Sequence, residues 1–408
     1  MSPFGQEVDP AEVGFDADRL ARIDAHLGRY VADGRLPGWL VSVARGGRVA
    51  HLAAGGWRDV EAGLPVQHDT LFRIYSMTKP ITTVAALMLY ELGAFELVDP
   101  VSRFLPAFGD ARIYRSGPID DPVTEPAAEP IRIWHLMTHT SGLTYGFHRS
   151  TPVDAMYRAR GFDLGAPAGL DLAGCCDAYA SLPVLFEPGT QWNYSVSTDV
   201  LGRLVEVVSG ETLADFLRDR VLHPLGMVDT GFAVDEADSS RLAALYTPFP
   251  GSGVLRMPTA RSRRSFRFDS GGGGLIGTAG DYHRFTSFLL GGGELDGVRL
   301  LSPRTVAYLS TNHLPGGADL QQVGWSASSE TTSAGMGFGL GVAVLLDPAA
   351  QKVLSSRGEI SWGGAASTGF WVDPMESVSV VFMTQLIPSS SYRVRSELRQ
   401  LVYQALID

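Results

Sequence analysis

The segment Phe72-Arg73-Ile74-Tyr75-Ser76-Met77-Thr78-Lys79-Pro80 sets one of only two lysines three residues after a serine, in a chain whose other basic side chains are thirty-one arginines. A guanidinium keeps its proton in a protein, whereas a lysine amine gives it up when burial or a neighbouring cation disfavours the charge. Ser76 and Lys79 are thus the residue types expected of a serine nucleophile beside a titratable amine. The surrounding pattern lets them meet. Thr70 to Ile74 is a short apolar approach, and Ile81, Val84, Leu87, Met88, Tyr90 and Leu92 recur at helical spacing up to Gly93. Pro80 is tolerated only in a first helical turn, which places the helix start near Ser76. Residues three apart share a helix face. The unpaired N–H groups of a helix start favour a developing anion and depress a nearby amine's pKa.

Two further segments carry chemistry. In Glu187-Pro188-Gly189-Thr190-Gln191-Trp192-Asn193-Tyr194-Ser195 a Pro-Gly turn leads to a helix beginning near Val196, so Tyr194 stands on a loop at a helix start. Beside Lys79 its phenol would be pushed toward phenolate; as a core tyrosine it would only satisfy its hydroxyl. Ile360-Ser361-Trp362-Gly363-Gly364-Ala365 opens a strand region. Two glycines in a strand pattern mark the close approach of a backbone or ligand, and a free strand N–H there can serve an oxyanion. The alternative is a tight turn beside a half-buried tryptophan.

Composition narrows the remaining classes. A net charge of −11 argues against a nucleic-acid binder, and no stretch is long and apolar enough to span a bilayer. Met1 to Val8 lacks the basic and apolar regions of a signal peptide. Adjacent Cys175 and Cys176 fit reduced thiols better than a disulfide, so a cytoplasmic location is expected. His135 and His139 stand four apart, but Leu136 follows where a zinc protease carries glutamate, so a structural role at a helix end is expected and no metal. The basic run Arg261 to Arg267 reads as a solvated loop. The glycine run Gly271 to Gly274 lacks the Gly-Lys-Ser/Thr of a phosphate loop and reads as a close backbone passage into a helix from Ala279 to Leu290. No cofactor is implied.

The elements that must position these residues change character along the chain. Asp16 to Asp33 reads as an amphipathic helix, and Trp39 to Ala44 with Val49 to Ala54 as a strand pair turned at Gly46-Gly47. Gly117 to Pro130 reads as a loop, Ile131 to Met137 as a short helix, and Val196 to Val208 and Leu213 to Val221 as helices. Gly316 to Gly335 reads as a surface loop, Gly337 to Leu346, Gly369 to Val372 and Val378 to Thr384 as strands, and Tyr392 to Ile407 as a final helix. Strands at both ends around a helical middle predict an α+β fold: one antiparallel sheet closed by the two termini and flanked by helices, with a helical insertion.

Taken in order, Ser76-Met77-Thr78-Lys79, Tyr194-Ser195 and Trp362-Gly363-Gly364 resemble the serine β-lactamase-like superfamily, in particular the class C β-lactamase branch with its family VIII carboxylesterases. Asp99-Pro100-Val101, Leu136-Met137-Thr138-His139-Thr140-Ser141-Gly142-Leu143, Glu187-Pro188-Gly189 and Gly271-Gly272-Gly273-Gly274-Leu275 support it, and the resemblance runs from about Val8 to the end. It implies a β-lactamase/penicillin-binding-protein-like fold: a domain of residues 8–92 and 255–408, a mainly helical domain of residues 93–254, and an active site between them. Ser76 would be acylated, Lys79 and Tyr194 would act together as general base, and the N–H groups of Ser76 and Ala365 would form the oxyanion hole. Tyr75, Trp362, Gly363 and Gly364 would contact substrate.

The departures shape the expected substrate. Val196 stands where class C β-lactamases carry the asparagine of Tyr-x-Asn, and Trp362 where they carry the lysine of Lys-Thr-Gly. An indole offers no charge to a β-lactam carboxylate, a loss of about 1.5–3 kcal/mol, or roughly tenfold to a hundredfold in binding. The expected partner is therefore a small-molecule ester of a short-chain acid, with acyl transfer to alcohols and weak β-lactam hydrolysis as side activities. A class C-like β-lactamase, a D-amino-acid peptidase and an inactive acylated sensor are the alternatives. The chain holds no Gly-x-Ser-x-Gly, which disfavours a nucleophile-elbow hydrolase.

Overall fold

The structure, a computed structural model, describes residues 4–163, 165–249, 251, 253–258, 268–324 and 334–408. Six helices matter for the site: α1 (Ala17–Ala32), α2 (Thr78–Glu91), α3 (Ile133–Thr138), α4 (Ser197–Ser209), α5 (Ala279–Leu290) and α6 (Val394–Tyr403). The main sheet contains β1 (Gly38–Arg45), β2 (Arg48–Asp59), β3 (Leu64–Pro65), β4 (Met336–Phe338), β5 (Ala343–Leu345), β6 (Ile360–Gly363), β7 (Gly369–Asp373) and β8 (Val378–Met383). Its order is β4-β5-β6-β7-β8-β1-β2-β3, antiparallel throughout. The two ends of the chain meet at β1 and β8, in register from Leu40 opposite Met383 to Arg45 opposite Val378.

Strand alternation decides which face each residue serves. From β8, Val378, Val380 and Phe382 join one core with Leu20, Ile23 and Leu27 of α1 and Leu398 and Val402 of α6. Val381 and Met383 face the other way, into a core with Ile81 and Val84 of α2 and Phe285 and Phe288 of α5. That second core continues into the helical middle through Leu136, Val200 and Leu204. The amide of Ala244 then donates to Arg58 O (2.7 Å) and that of Tyr246 to Gln385 O (3.0 Å), returning the chain to the sheet ahead of residue 255. Among the described residues no helix is long and apolar enough to cross a membrane.

Three expectations need correction. Gly337 to Leu346 is a hairpin of β4 and β5, not one strand. Gly339 and Gly341 make the turn: Gly341 has φ +77°, and a Cβ on Gly339 would lie 2.1 Å from Leu309 O. The apolar run around them hid the break. Residues 123–126, expected in a loop, pair with Arg112–Ser116; Ile113 of that partner strand is buried, but the strand 123–126 itself has no buried residue to betray it. Within Gly316 to Gly335, Leu320–Val323 is a short helix capped by Asp319; residues 325–333 lie outside the described residues, as does the basic run Arg261 to Arg267.

α6 is bound to the sheet by charge as well as by its apolar face. Just before β6, Glu359 is fully buried; Arg399 of α6 donates to it at 2.8 Å, and Ser355 Oγ at 2.5 Å. Removing one partner of such a pair strands a charge away from water. Arg399→Leu is expected to lower stability by about 3–5 kcal/mol, with part of the loss recovered by adding Glu359→Leu. Urea denaturation measures both; a cost below about 1 kcal/mol for the single variant would contradict the assignment.

Candidate active site

The serine turn is clamped before the helix begins. Phe72–Arg73 pairs with Ile276–Gly277, the amide of Ile74 donates to Leu275 O (3.1 Å), and Tyr282 OH donates to Met77 O (2.9 Å). Tyr75 is held at φ 44°, a left-handed conformation that bulky residues rarely adopt. Such strain persists only where the surroundings over-determine it. A 3-10 turn, Tyr75–Met77, then runs into α2, with Pro80 in its first turn as the sequence predicts. Ser76 is half-buried at the mouth of this turn and Lys79 is fully buried beneath it.

Three side-chain tips converge. Ser76 Oγ lies 2.6 Å from the Tyr194 hydroxyl and 3.3 Å from Lys79 Nζ. Lys79 Nζ also donates to Gly272 O (2.7 Å) and approaches Tyr145 OH (3.0 Å). It sits 4.5 Å from the centre of the Tyr194 ring. Burial lowers the Lys79 pKa to about 7, against the opposing pull of Asp199. A neutral amine has two N–H groups and one lone pair. Gly272 O and Tyr145 OH suit the two donors, which leaves the lone pair for Ser76.

Asp199, in the first turn of α4, is buried and accepts from Ser270 Oγ (2.6 Å) and the Gly272 amide (2.9 Å), both on Oδ1. Burial raises its pKa, opposed by those hydrogen bonds and by Lys79. Gly272 is a tight position: a Cβ there would lie 3.0 Å from Asp199 Oδ2 and 3.1 Å from Tyr145 OH. The glycine run thus brings a backbone carbonyl onto the lysine, a closer role than passage into α5.

Tyr194 is fixed by aromatic edges. His139 lies 4.9 Å from it and Trp362 5.4 Å, between ring centres. His139 ends α3 in a left-handed conformation (φ 56°), and its Nδ1 is 3.1 Å from Ser195 Oγ, whereas His135 Nδ1 accepts from the Arg132 amide (3.0 Å). The two rings are therefore committed to different partners. Cys175 and Cys176 are buried free thiols.

Trp362 and Gly363 end β6, and Gly364 and Ala365 follow in the turn to β7. A Cβ on Gly364 would come within 2.4 Å of Ile74 O, so glycine lets this turn pack against the serine segment. Ala365 is exposed, and among the described residues its amide meets no acceptor. Ser76, Ala365, Tyr75 and Trp362 all line one cavity of about 900 Å³, whose walls also include Phe147, His148 and Phe268. The predicted site residues line this cleft except Lys79, which is buried beneath Ser76.

Tyr145 and Asp199 were not anticipated, and Gly272 only as part of the glycine run. Tyr145 sits two residues past Ser141-Gly142-Leu143, and Asp199 five past Tyr194, so each lay next to a recognised phrase. Neither type nor spacing marked them, because their partner, Lys79, is distant in sequence.

Comparison with known proteins places this geometry. The Beta-lactamase family model matches residues 23–404. Protein Rv1367c of Mycobacterium tuberculosis is 38% identical over 371 residues, covering 89% of each chain. Esterase EstB of Burkholderia gladioli is 34% identical over 400 residues, covering 92% of this chain and 93% of its own. Among solved structures, EstCE1, described as a hydrolase with promiscuous acyltransferase activity, superposes with TM-score 0.80 at 30% identity, covering 95% of this chain and 99% of that one. With a match over nearly its whole length and one antiparallel sheet flanked by helices, the chain belongs to the beta-lactamase family, on the side of its esterase-like members.

Proposed function

We infer that the protein is a serine carboxylesterase that cleaves esters of short-chain acids through an acyl-enzyme on Ser76. The observation that carries the reading is the position of Ser76 Oγ between the Tyr194 hydroxyl and the buried amine of Lys79. As Oγ attacks the ester carbonyl, its proton passes into the Lys79–Tyr194 pair. The oxyanion forms against the Ser76 and Ala365 amides. When the tetrahedral centre collapses, the C–O bond to the alcohol breaks and the pair returns the proton to that oxygen. Water then repeats the sequence on the acyl-enzyme, and an alcohol in its place gives acyl transfer. The names of EstB, an esterase, and EstCE1, a hydrolase with acyltransferase activity, support both outcomes. Tyr75, Trp362, Gly363 and Gly364 contact the substrate, and the cavity leaves room for a sizeable alcohol portion.

Ser76→Ala should reduce hydrolysis of p-nitrophenyl butyrate by ~10³-fold or more. Lys79→Arg, which keeps the charge and loses the base, should cost about 10²–10⁴-fold. Near-normal turnover in either variant would refute the mechanism. Nitrocefin and a D-alanyl anilide, run beside the ester, decide between esterase, β-lactamase and peptidase; efficient turnover of either in preference to the ester would reverse the assignment.

The pH dependence follows from the lysine. Its pKa is lowered to about 7, so the neutral base dominates above that pH. kcat/KM should climb about tenfold per pH unit below it and level off above. Asp199 raises the Lys79 pKa. Asp199→Asn retains an oxygen acceptor for Ser270 and Gly272 but removes that charge, so the acidic limb should move to lower pH. A pH–rate profile that moves upward instead would show that Asp199 acts otherwise.

Trp362 leaves the end of β6 without the cation that holds a β-lactam carboxylate. Trp362→Lys should raise the ratio of nitrocefin to butyrate-ester turnover by roughly tenfold. An unchanged ratio in a folded variant would remove charge at this position as the source of the ester preference.

A further inference from the structure

The first glycine of Trp362-Gly363-Gly364 has a reason of its own. A Cβ on Gly363 would fall 2.4 Å from Cζ of Arg395, and one on Gly369 would fall 3.2 Å from its Nε. Gly363 and Gly369 face each other across β6 and β7. The Arg395 side chain, rising from the first turn of α6, occupies the space where a pair of side chains would otherwise stand. There its Nη2 donates to Gly364 O at 2.8 Å. The same carbonyl accepts the Ser367 amide at 3.0 Å, closing the turn.

Gly364 C=O and Ala365 N–H belong to one peptide unit. That unit is planar and trans, so its C=O and N–H point in opposite directions. Holding the carbonyl from two sides on the sheet face therefore fixes the N–H on the cleft face. A charge-assisted bond on the carbonyl also draws electron density from the amide and strengthens its N–H as a donor.

Arg395 also borders the cavity that holds Ser76; we propose that it is a positioning residue for the oxyanion site, acting through the Gly364–Ala365 peptide rather than by touching substrate. The proposal rests on the acyl-enzyme reading given above. It also explains two glycines that sequence alone read as close approach without naming what approached. Arg395 contributes only where charge develops on the ester oxygen. Its effect belongs to the transition state, not to ground-state binding.

The test uses Arg395→Met and Arg395→Lys, with Ser76 labelled by a fluorophosphonate to count competent sites in each. In Arg395→Met, kcat for p-nitrophenyl butyrate should fall about tenfold to a hundredfold, with KM held within about twofold. Inhibition by propylboronic acid, which forms a tetrahedral adduct on a nucleophilic serine, should weaken by the same factor. Arg395→Lys, still able to donate to Gly364 O, should recover part of both. Unchanged kcat and boronate affinity in labelled Arg395→Met would overturn the proposal. So would a rise in KM confined to a carboxylate-bearing ester such as p-nitrophenyl succinate, which would make Arg395 a substrate contact. Failure of the parent enzyme to label at Ser76 would instead sink the acyl-enzyme reading itself.

Discussion

The site depends on an amine kept away from water. Lys79 is fully buried, and desolvation is the largest influence on its pKa. A buried ammonium with a carboxylate in direct contact would stay charged and could not take a proton. Here the acid, Asp199, is held one layer away: its Oδ1 is occupied by Ser270 and the Gly272 amide, while the Gly272 carbonyl meets the lysine. The residue between them is a glycine, where a side chain would crowd both Asp199 and Tyr145. The carboxylate is therefore near enough to be felt and too far to pair, and the amine is left near neutrality instead of fixed as a cation.

The fold supplies this arrangement by bringing distant segments against one helix start. The serine turn is pinned by a strand pair from residues 276–277 and by Tyr282 of α5. Tyr194 arrives from the loop before α4, and the turn after β6 lies on the Ile74 carbonyl. The sheet makes the last approach possible because β6 and β7 are built from the end of the chain yet share one sheet with β1. The same α6 that packs Leu398 and Val402 into the core carries Arg395 to that turn.

This division explains what could be read from the sequence. Ser76, Lys79 and Tyr194 were legible because each is a reactive type beside a turn or helix signal, and local spacing suffices for that. The sheet was legible because short apolar runs bounded by turn residues are a local signal, and its closure by the termini followed from strands at both ends. Tyr145, Asp199 and Arg395 were not legible, since each meets a group far away in sequence. The break at Gly339 and Gly341 was missed for the opposite reason: an apolar run persisted locally while the backbone was turned by a contact with Leu309, outside the window. Glycines were the best long-range signal. At Gly272, Gly363 and Gly364 each absent side chain marks a specific visitor, respectively Asp199 with Tyr145, Arg395, and the Ile74 carbonyl.

Electrostatic design links the two halves of the cleft. Lys79 is neutral until it takes the Ser76 proton, and Trp362 brings no charge at the end of β6. In the proposed mechanism the negative charge developing on the ester oxygen is met by fixed dipoles, the amides at the start of α2 and in the turn after β6. Dipoles already oriented need no rearrangement as the charge forms, which is the source of their catalytic value. On the same reading the orientation is enforced through the peptide carbonyl, where Arg395 donates to Gly364 O. On the proposed reading, peptide dipoles whose contact strengthens as charge develops stabilise the transition state more than the ground state.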